Sequence, residues 1–314
     1  MPELPDVVVY LERLADKTTG ATLDAMRFAS PFVLRSFDPK PAELLGKKVV
    51  GHRRMGKRLV LAIEGELFIV IHLMIAGRLR WSPDRAAKIP GKVGLAAFDF
   101  SHHSSHLTKG PGTLILTEAS TKKRASIHLV RSEENLVSFD RRGAEPLEIS
   151  LAEFREALIR ENHTLKRTLT DPTLFSGIGN AYSDEILHRA KLSPVTMSHK
   201  MREEDIGVLY EATRATLTHW LDVLRQESKD SWPEKVTAFR EGMAVHGRYG
   251  KPCPLCGNPV QRIAYADNET NYCATCQTGG KLLADRSLSQ LMKKDWPKTL
   301  EELEERKATL GKRS

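Results

Sequence analysis

The chain has 314 residues, 40% of them hydrophobic and 28% charged, which is enough for two domains with real cores and a small appended module. A surplus of 48 Lys and Arg over 40 Asp and Glu gives a net charge of +8, which suits a polyanion such as nucleic acid, although basic enzymes without one also exist. The start lacks the basic-then-apolar pattern of a signal peptide, no run approaches a membrane span of ~20 apolar residues, and all four cysteines fall between Cys253 and Cys276, so a membrane or a scattered disulfide framework is excluded and a reducing, cytosolic compartment fits.

The chain opens MPELPD, which carries two readings. Pro5 and Asp6 suit the first turn of a helix continued by Val7, Tyr10, Leu11 and Leu14. Alternatively, removal of Met1 exposes the secondary amine of Pro2 beside the carboxylate of Glu3, the minimal equipment for covalent chemistry on a carbonyl or sugar. From about Thr22 to Val137 the pattern is strand-like. Leu59–Ile63 and Leu67–Met74 flank Glu64-Gly65-Glu66 as a hairpin, preceded by Lys57 in Met55-Gly56-Lys57-Arg58. Leu114–Leu116 and Ile127–Val130 are further strands. Between Phe98 and Gly112, the stretch with His102, His103 and His106 reads as a polar surface loop and not a metal site.

Helical spacing begins at Leu151 and continues through Phe154, Leu158, Leu165 and Leu169, which places a domain boundary near Pro146–Ser150. In Phe175-Ser-Gly-Ile-Gly-Asn180, Gly177 and Gly179 permit a tight turn and Asn180 is expected to cap the next helix. The amides at such a helix start are either an anion site or an ordinary capped end. Ile206, Leu209, Thr213, Leu217, Trp220 and Leu224 predict one long amphipathic helix. Cys253-Pro-Leu-Cys256 and Cys273-Ala-Thr-Cys276, sixteen residues apart, have the spacing of two knuckles on one tetrahedral zinc. Four thiolates leave no open position, so the zinc is structural and supplies folding energy to a module too small for a core. The tail beyond Gly280 is charged, with short helices expected around Leu288–Asp295 and Leu300–Leu310.

In this order, MPELPD, the GKR turn, SGIGNAYSDEILHRAKLSP and the CxxC–CxxC pair followed by Gln277 resemble the formamidopyrimidine-DNA glycosylase and endonuclease VIII family over residues 2–277. The resemblance implies an α+β multidomain fold. Residues 1–148 would form an N-terminal helix and β-sandwich, 149–240 a helical domain with a helix–two-turn–helix motif, 241–280 a zinc-finger β-hairpin, and 281–314 a charged tail of unknown role. It implies a monomeric, bacterial-type cytoplasmic repair enzyme that binds damaged duplex DNA in the cleft between two domains. The enzyme would carry one structural zinc and no small-molecule cofactor.

By the same resemblance, Pro2 is the nucleophile on C1′, Glu3 the proton shuttle, and Lys57 the lysine near the lesion and strand phosphate. Gly177, Gly179 and Asn180 match a phosphate clamp. Ile75, in His72-Leu-Met-Ile-Ala-Gly77, matches the side chain that fills the vacated stack. Arg124 falls in the segment matching DPRRFG, preferred over Asp140-Arg-Arg142-Gly because Gly143-Ala-Glu-Pro-Leu147 resembles the later GPEPL. Three departures stand out: Asn268 where the finger arginine belongs, Asp6 where glutamate is usual, and no phenylalanine wedge. Three rivals stay open. One is an endonuclease VIII-like preference for oxidised pyrimidines, and another a zinc protein that binds damaged DNA without cutting it. The third, an RNA- or ribosome-associated zinc ribbon, leaves MPELPD unexplained.

Overall fold

The structure, a computed structural model, describes residues 1–102, 111–234, 236, 240–265, 268–284 and 297–311. His103, His106 and the helix expected around Leu288–Asp295 lie outside these residues, as does the side chain of Asn268. The chain divides into two compact units, Met1–Gly143 with Thr218–Thr237, and Ala144–Leu217 with Ala238–Ser314.

The first unit begins with α1 (Leu4–Thr18), which buries Val7, Tyr10, Leu11 and Leu14 at helical spacing. Its N-cap is Glu3, whose backbone N–H donates to Asp6 Oδ2 at 2.8 Å, so the acidic side chain of the first turn satisfies an end donor and complements the helix dipole. Two four-stranded antiparallel sheets follow. One has the order β1 (Thr22–Phe28), β6 (Gly94–Ser101), β7 (Gly112–Glu118), β5 (Gly77–Ser82). The other has the order β2 (Val49–Met55), β3 (Arg58–Ile63), β4 (Leu67–His72), β8 (Ser126–Arg131), and the short helix α2 (Glu133–Val137) follows it.

Period-two alternation sorts the side chains of β3. Leu59, Leu61 and Ile63 enter the core between the sheets with Ile69, Ile71, Phe98, Leu114 and Leu116, and α1 packs on the same core. Val60 turns the other way, into a second cluster with Phe68, Val70, Val130 and Leu136 of α2. Burial on both faces explains why β4 reads as the continuous apolar run LFIVI. Trp232 returns to this unit, donating its Nε1–H to Leu79 O at 2.8 Å and stacking on Trp81.

The second unit contains α3 (Leu151–Ile159), α4 (Leu165–Thr170), α5 (Asn180–Arg189) and the first part of α6 (Glu203–Glu227). Ser150 starts α3 by accepting from Glu153 N while Glu153 accepts from Ser150 N, a capping box. The antiparallel hairpin β9 (Gln261–Tyr265) and β10 (Asn268–Tyr272) leads to α7 (Ala274–Thr278). The expected tail helix is present as α8 (Leu300–Gly311), where Leu300 and Leu303 pack with Leu282 against Ile263, Tyr272 and Ala274.

Polar ties run from α5 to the segment before the hairpin. Glu185 Oε2 accepts from Ala244 N at 2.7 Å, and Oε1 accepts from Val245 N and His246 N at 2.9 Å. Asp184 accepts from Lys166 Nζ at 2.5 Å and contacts His246 Nδ1 at 2.8 Å. Glu185→Gln keeps the volume but turns an N–H₂ group toward backbone donors. The variant should lose about 1–3 kcal/mol, the cost of a buried unsatisfied group, measured as a lower urea midpoint and faster proteolysis near residues 240–250.

Candidate active site and metal centre

Strand register brings several chain turns to one rim of the first unit. Arg58 pairs with His72 and His72 with Ser126, while Gly77 pairs with Glu118 in the facing sheet. The turn Gly56–Lys57, the loop 73–76 and the loop 119–125 therefore open at the same end. Gly56 has a φ of +60°, which lets two residues join β2 to β3 and sets half-buried Lys57 at the rim. Ile75 tops the loop 73–76 and is 55% exposed. Arg124 is exposed on a loop braced by buried Glu118, whose Oε2 accepts from Arg124 N at 2.8 Å and Ala125 N at 2.9 Å.

The chain terminus lies at this rim. Pro2 is buried, Glu3 is 2% exposed, and the α-amine of Met1 feels the charges of Glu3, Arg78, Asp6 and Lys57. Burial lowers the pKa of that amine below its usual 8.0; Arg78 and Lys57 push the same way, while Glu3 and Asp6 oppose. Arg78, which no sequence motif singles out, joins the site, its guanidinium donating to the carbonyls of Ile75 and Gly77 at 3.3 and 2.7 Å. An alternating strand gives no hint that this arginine joins the amine. His72 is pushed down to about 4 by burial and then by Arg58, Lys57 and His128, so a neutral imidazole faces the basic groups at physiological pH. Pro2, Glu3 and Lys57 are thus brought together, with Ile75 and Arg124 on neighbouring loops of the rim.

In the second unit Gly177 has a φ of +80°, the left-handed turn that leads into α5. The N-cap is Gly179, not Asn180, which is the first helical residue. Asn180 instead donates Nδ2–H to Glu269 O at 2.8 Å, and its own carbonyl accepts from Lys166 Nζ at 2.7 Å. Asn180 lies inside the helix, one position past the N-cap, so the expected cap is not made from the N-cap position by its side chain. The helix start still presents backbone amides and the positive end of the dipole.

The sulfurs of Cys253, Cys256, Cys273 and Cys276 lie within 4.8 Å of one another. Cys253 and Cys276 are 3.9 Å apart and Cys256 and Cys273 3.4 Å, against ~3.8 Å for ligands 2.3 Å from a tetrahedral zinc. Gln277 braces the knuckle: its Oε1 accepts from Cys273 N at 2.8 Å and its Nε2–H donates to Leu192 O at 2.9 Å. Among the described residues no helix is long and apolar enough to cross a membrane.

The formamidopyrimidine-DNA glycosylase N-terminal domain matches residues 1–142, the formamidopyrimidine-DNA glycosylase H2TH domain residues 143–230, and the zinc finger found in FPG and IleRS residues 250–279. A formamidopyrimidine-DNA glycosylase of Thermus thermophilus is 31% identical over 286 residues, covering 89% of this chain and 100% of that protein. An uncharacterized formamidopyrimidine-DNA glycosylase-like protein of Mycobacterium tuberculosis is 40% identical over 151 residues, 48% of this chain and 94% of that one. The Lactococcus lactis Fpg in complex with abasic-site DNA superposes with a TM-score of 0.75 at 25% identity, covering 88% of this chain and 99% of that one. The sulfur geometry and the finger match assign one structural zinc to the four cysteines. With its three domains matched in order and its relatives covered end to end, the chain belongs to the formamidopyrimidine-DNA glycosylase family.

Proposed function

We propose that the chain removes damaged bases from duplex DNA and then cuts the strand, using Pro2 as nucleophile once Met1 is gone. The observation that carries this reading is the terminal amine held in a buried setting beside Glu3, Asp6, Lys57 and Arg78. A neutral amine is the reactive form, and the burial that depresses the Met1 amine would act on Pro2 in its place. The Pro2 nitrogen bonds to C1′, the base departs with the glycosidic electron pair, and the proton shed by the Pro2 nitrogen goes to the departing base. Glu3 delivers a proton to the sugar ring oxygen as the ring opens, leaving an iminium ion between Pro2 and C1′. The iminium draws electrons from the C2′–H bond; the C2′ proton goes to the Glu3 carboxylate, freed of its own proton by the ring opening, and the 3′-phosphate leaves with its C–O electrons. The chain's own amine makes the covalent bond, so no small-molecule cofactor is required.

Lys57 and Arg124 fit contacts to strand phosphates, and Ile75 is an apolar wedge for the space left by the extruded nucleotide. Gly177, Gly179 and Asn180 fit a phosphate clamp at the start of α5.

Borohydride should trap a protein–DNA adduct on abasic DNA, mapped by mass spectrometry to Pro2. An adduct on Lys57, or none after Met1 is verified absent, would refute the mechanism. Trapping should rise with pH through a midpoint below the amine's ordinary value of about 8, because deprotonation creates the nucleophile. Lys57→Ala removes a cation that depresses the amine, so the midpoint should move to higher pH.

Asn180→Ala should weaken binding to lesion and undamaged duplexes by the same factor, because phosphate contacts carry no base information. The salt slope should stay unchanged, since asparagine displaces no counterion. Titrations at several salt concentrations check both, and a changed lesion preference at intact affinity would remove Asn180 from the clamp.

Asn268 brings no charge where a cation would stabilise a second departing phosphate, and Arg262 is engaged by Glu269 at 3.5 Å and lies 4.4 Å over the Tyr249 ring. The product should therefore be mainly the unsaturated sugar fragment on the 3′ end. Asn268→Arg should shift it toward bare 3′-phosphate on a product gel. A wild type already giving almost only bare phosphate would overturn this.

A further inference from the structure

His188 lies on α5, well outside the CxxC–CxxC module, yet its Nε2 sits 3.3 Å from Cys253 Sγ. The ring is 3% exposed, and knuckle geometry does not require its presence. A zinc ion with four thiolates has an excess of negative charge, and each sulfur keeps lone pairs able to accept hydrogen bonds. A zinc-bound thiolate has no proton to give, so at this distance the hydrogen must sit on Nε2. A neutral imidazole has one N–H, and its partner decides which nitrogen carries it.

We propose that His188 donates Nε2–H to the zinc-bound thiolate of Cys253 and is a positioning residue that fixes the metal centre to α5. The pattern of burial supports this. Cys253 and Cys273 are buried while Cys256 is exposed and Cys276 half-buried. Both buried ligands are tied to α5 or to the turn that follows it: Cys253 through His188, and Cys273 through Gln277, which also grips Leu192. The outer pair faces solvent. The inner pair therefore transmits the position of α5 to the metal. The inference depends on the structural zinc and not on the covalent reaction at Pro2.

The wild-type full chain, isotopically labelled and loaded with the spin-half cadmium isotope in place of zinc, gives the direct test. A long-range proton–nitrogen spectrum should show the His188 proton on Nε2, with scalar coupling across the hydrogen bond to cadmium. A proton on Nδ1 with bare Nε2 would overturn the proposal. Zinc release to a chelator from holoprotein should be roughly tenfold faster in His188→Phe, which keeps an aromatic ring but loses the donor. His188→Gln, which keeps an N–H donor, should return the rate to within about threefold of wild type. Equal release from wild type and His188→Phe would also overturn it. If His188→Phe fails to fold, the cadmium coupling in the wild type still decides.

Discussion

The pairing of Arg58 with His72 and of His72 with Ser126 sets what the rim of the first unit holds. Because side chains alternate along a strand, a slip of one residue between β3 and β4 would send Leu59, Leu61 and Ile63 out of the core. Burying side chains of that size stabilises by about 1.5–3 kcal/mol each, so the register is not free to drift. Once it is fixed, the ends of β2, β4 and β7 coincide, and the turn with Lys57, the loop with Ile75 and the loop with Arg124 are delivered together. The apolar faces of the strands, which take no part in chemistry, decide where the polar residues meet.

At that rim the electrostatics compete openly. Burial and two cations act to strip the proton from the terminal amine, and two carboxylates act to keep it. Burial is the largest of these influences, and the net direction is downward. Asp6 is partly withdrawn from the contest, because it accepts from Glu3 N at 2.8 Å and serves the end of α1. An aspartate suffices there because the acceptor need only reach one turn back along the helix. His72 adds a ring that stays neutral and so brings no further positive charge to an already basic group.

Features set by local sequence were readable in advance: the α1 stripe, the hairpin of Leu59–Ile63 and Leu67–His72 around Gly65, the long helix α6 and the cysteine spacing. What could not be read depends on residues far apart in the chain. Arg78 joins the amine only because β5 begins at the rim. His188 meets Cys253 across 65 positions, and Glu185 meets residues 244–246 across about 60. Asn180 shows the limit most clearly. Its type and place predict a cap, but a carbonyl 89 residues away offers its amide another partner, and Gly179 takes the N-cap position.

Asp184 and Glu185 follow one another in the middle of α5, both buried, an arrangement that helix propensity alone gives no reason to place there. Two adjacent desolvated carboxylates would repel and would cost several kcal/mol each if unpaired. Here Lys166 and His246 meet Asp184, and three backbone N–H groups meet Glu185. Replacing the set with apolar residues of equal volume need not reduce stability. It would, however, remove the directional bonds that allow only one position of residues 244–246 along α5. Apolar contacts tolerate a shift of an ångström, whereas a carboxylate accepting three N–H groups does not. These acids therefore serve position more than stability, which is what a helix needs when its first turn and the cysteine module are both built against it.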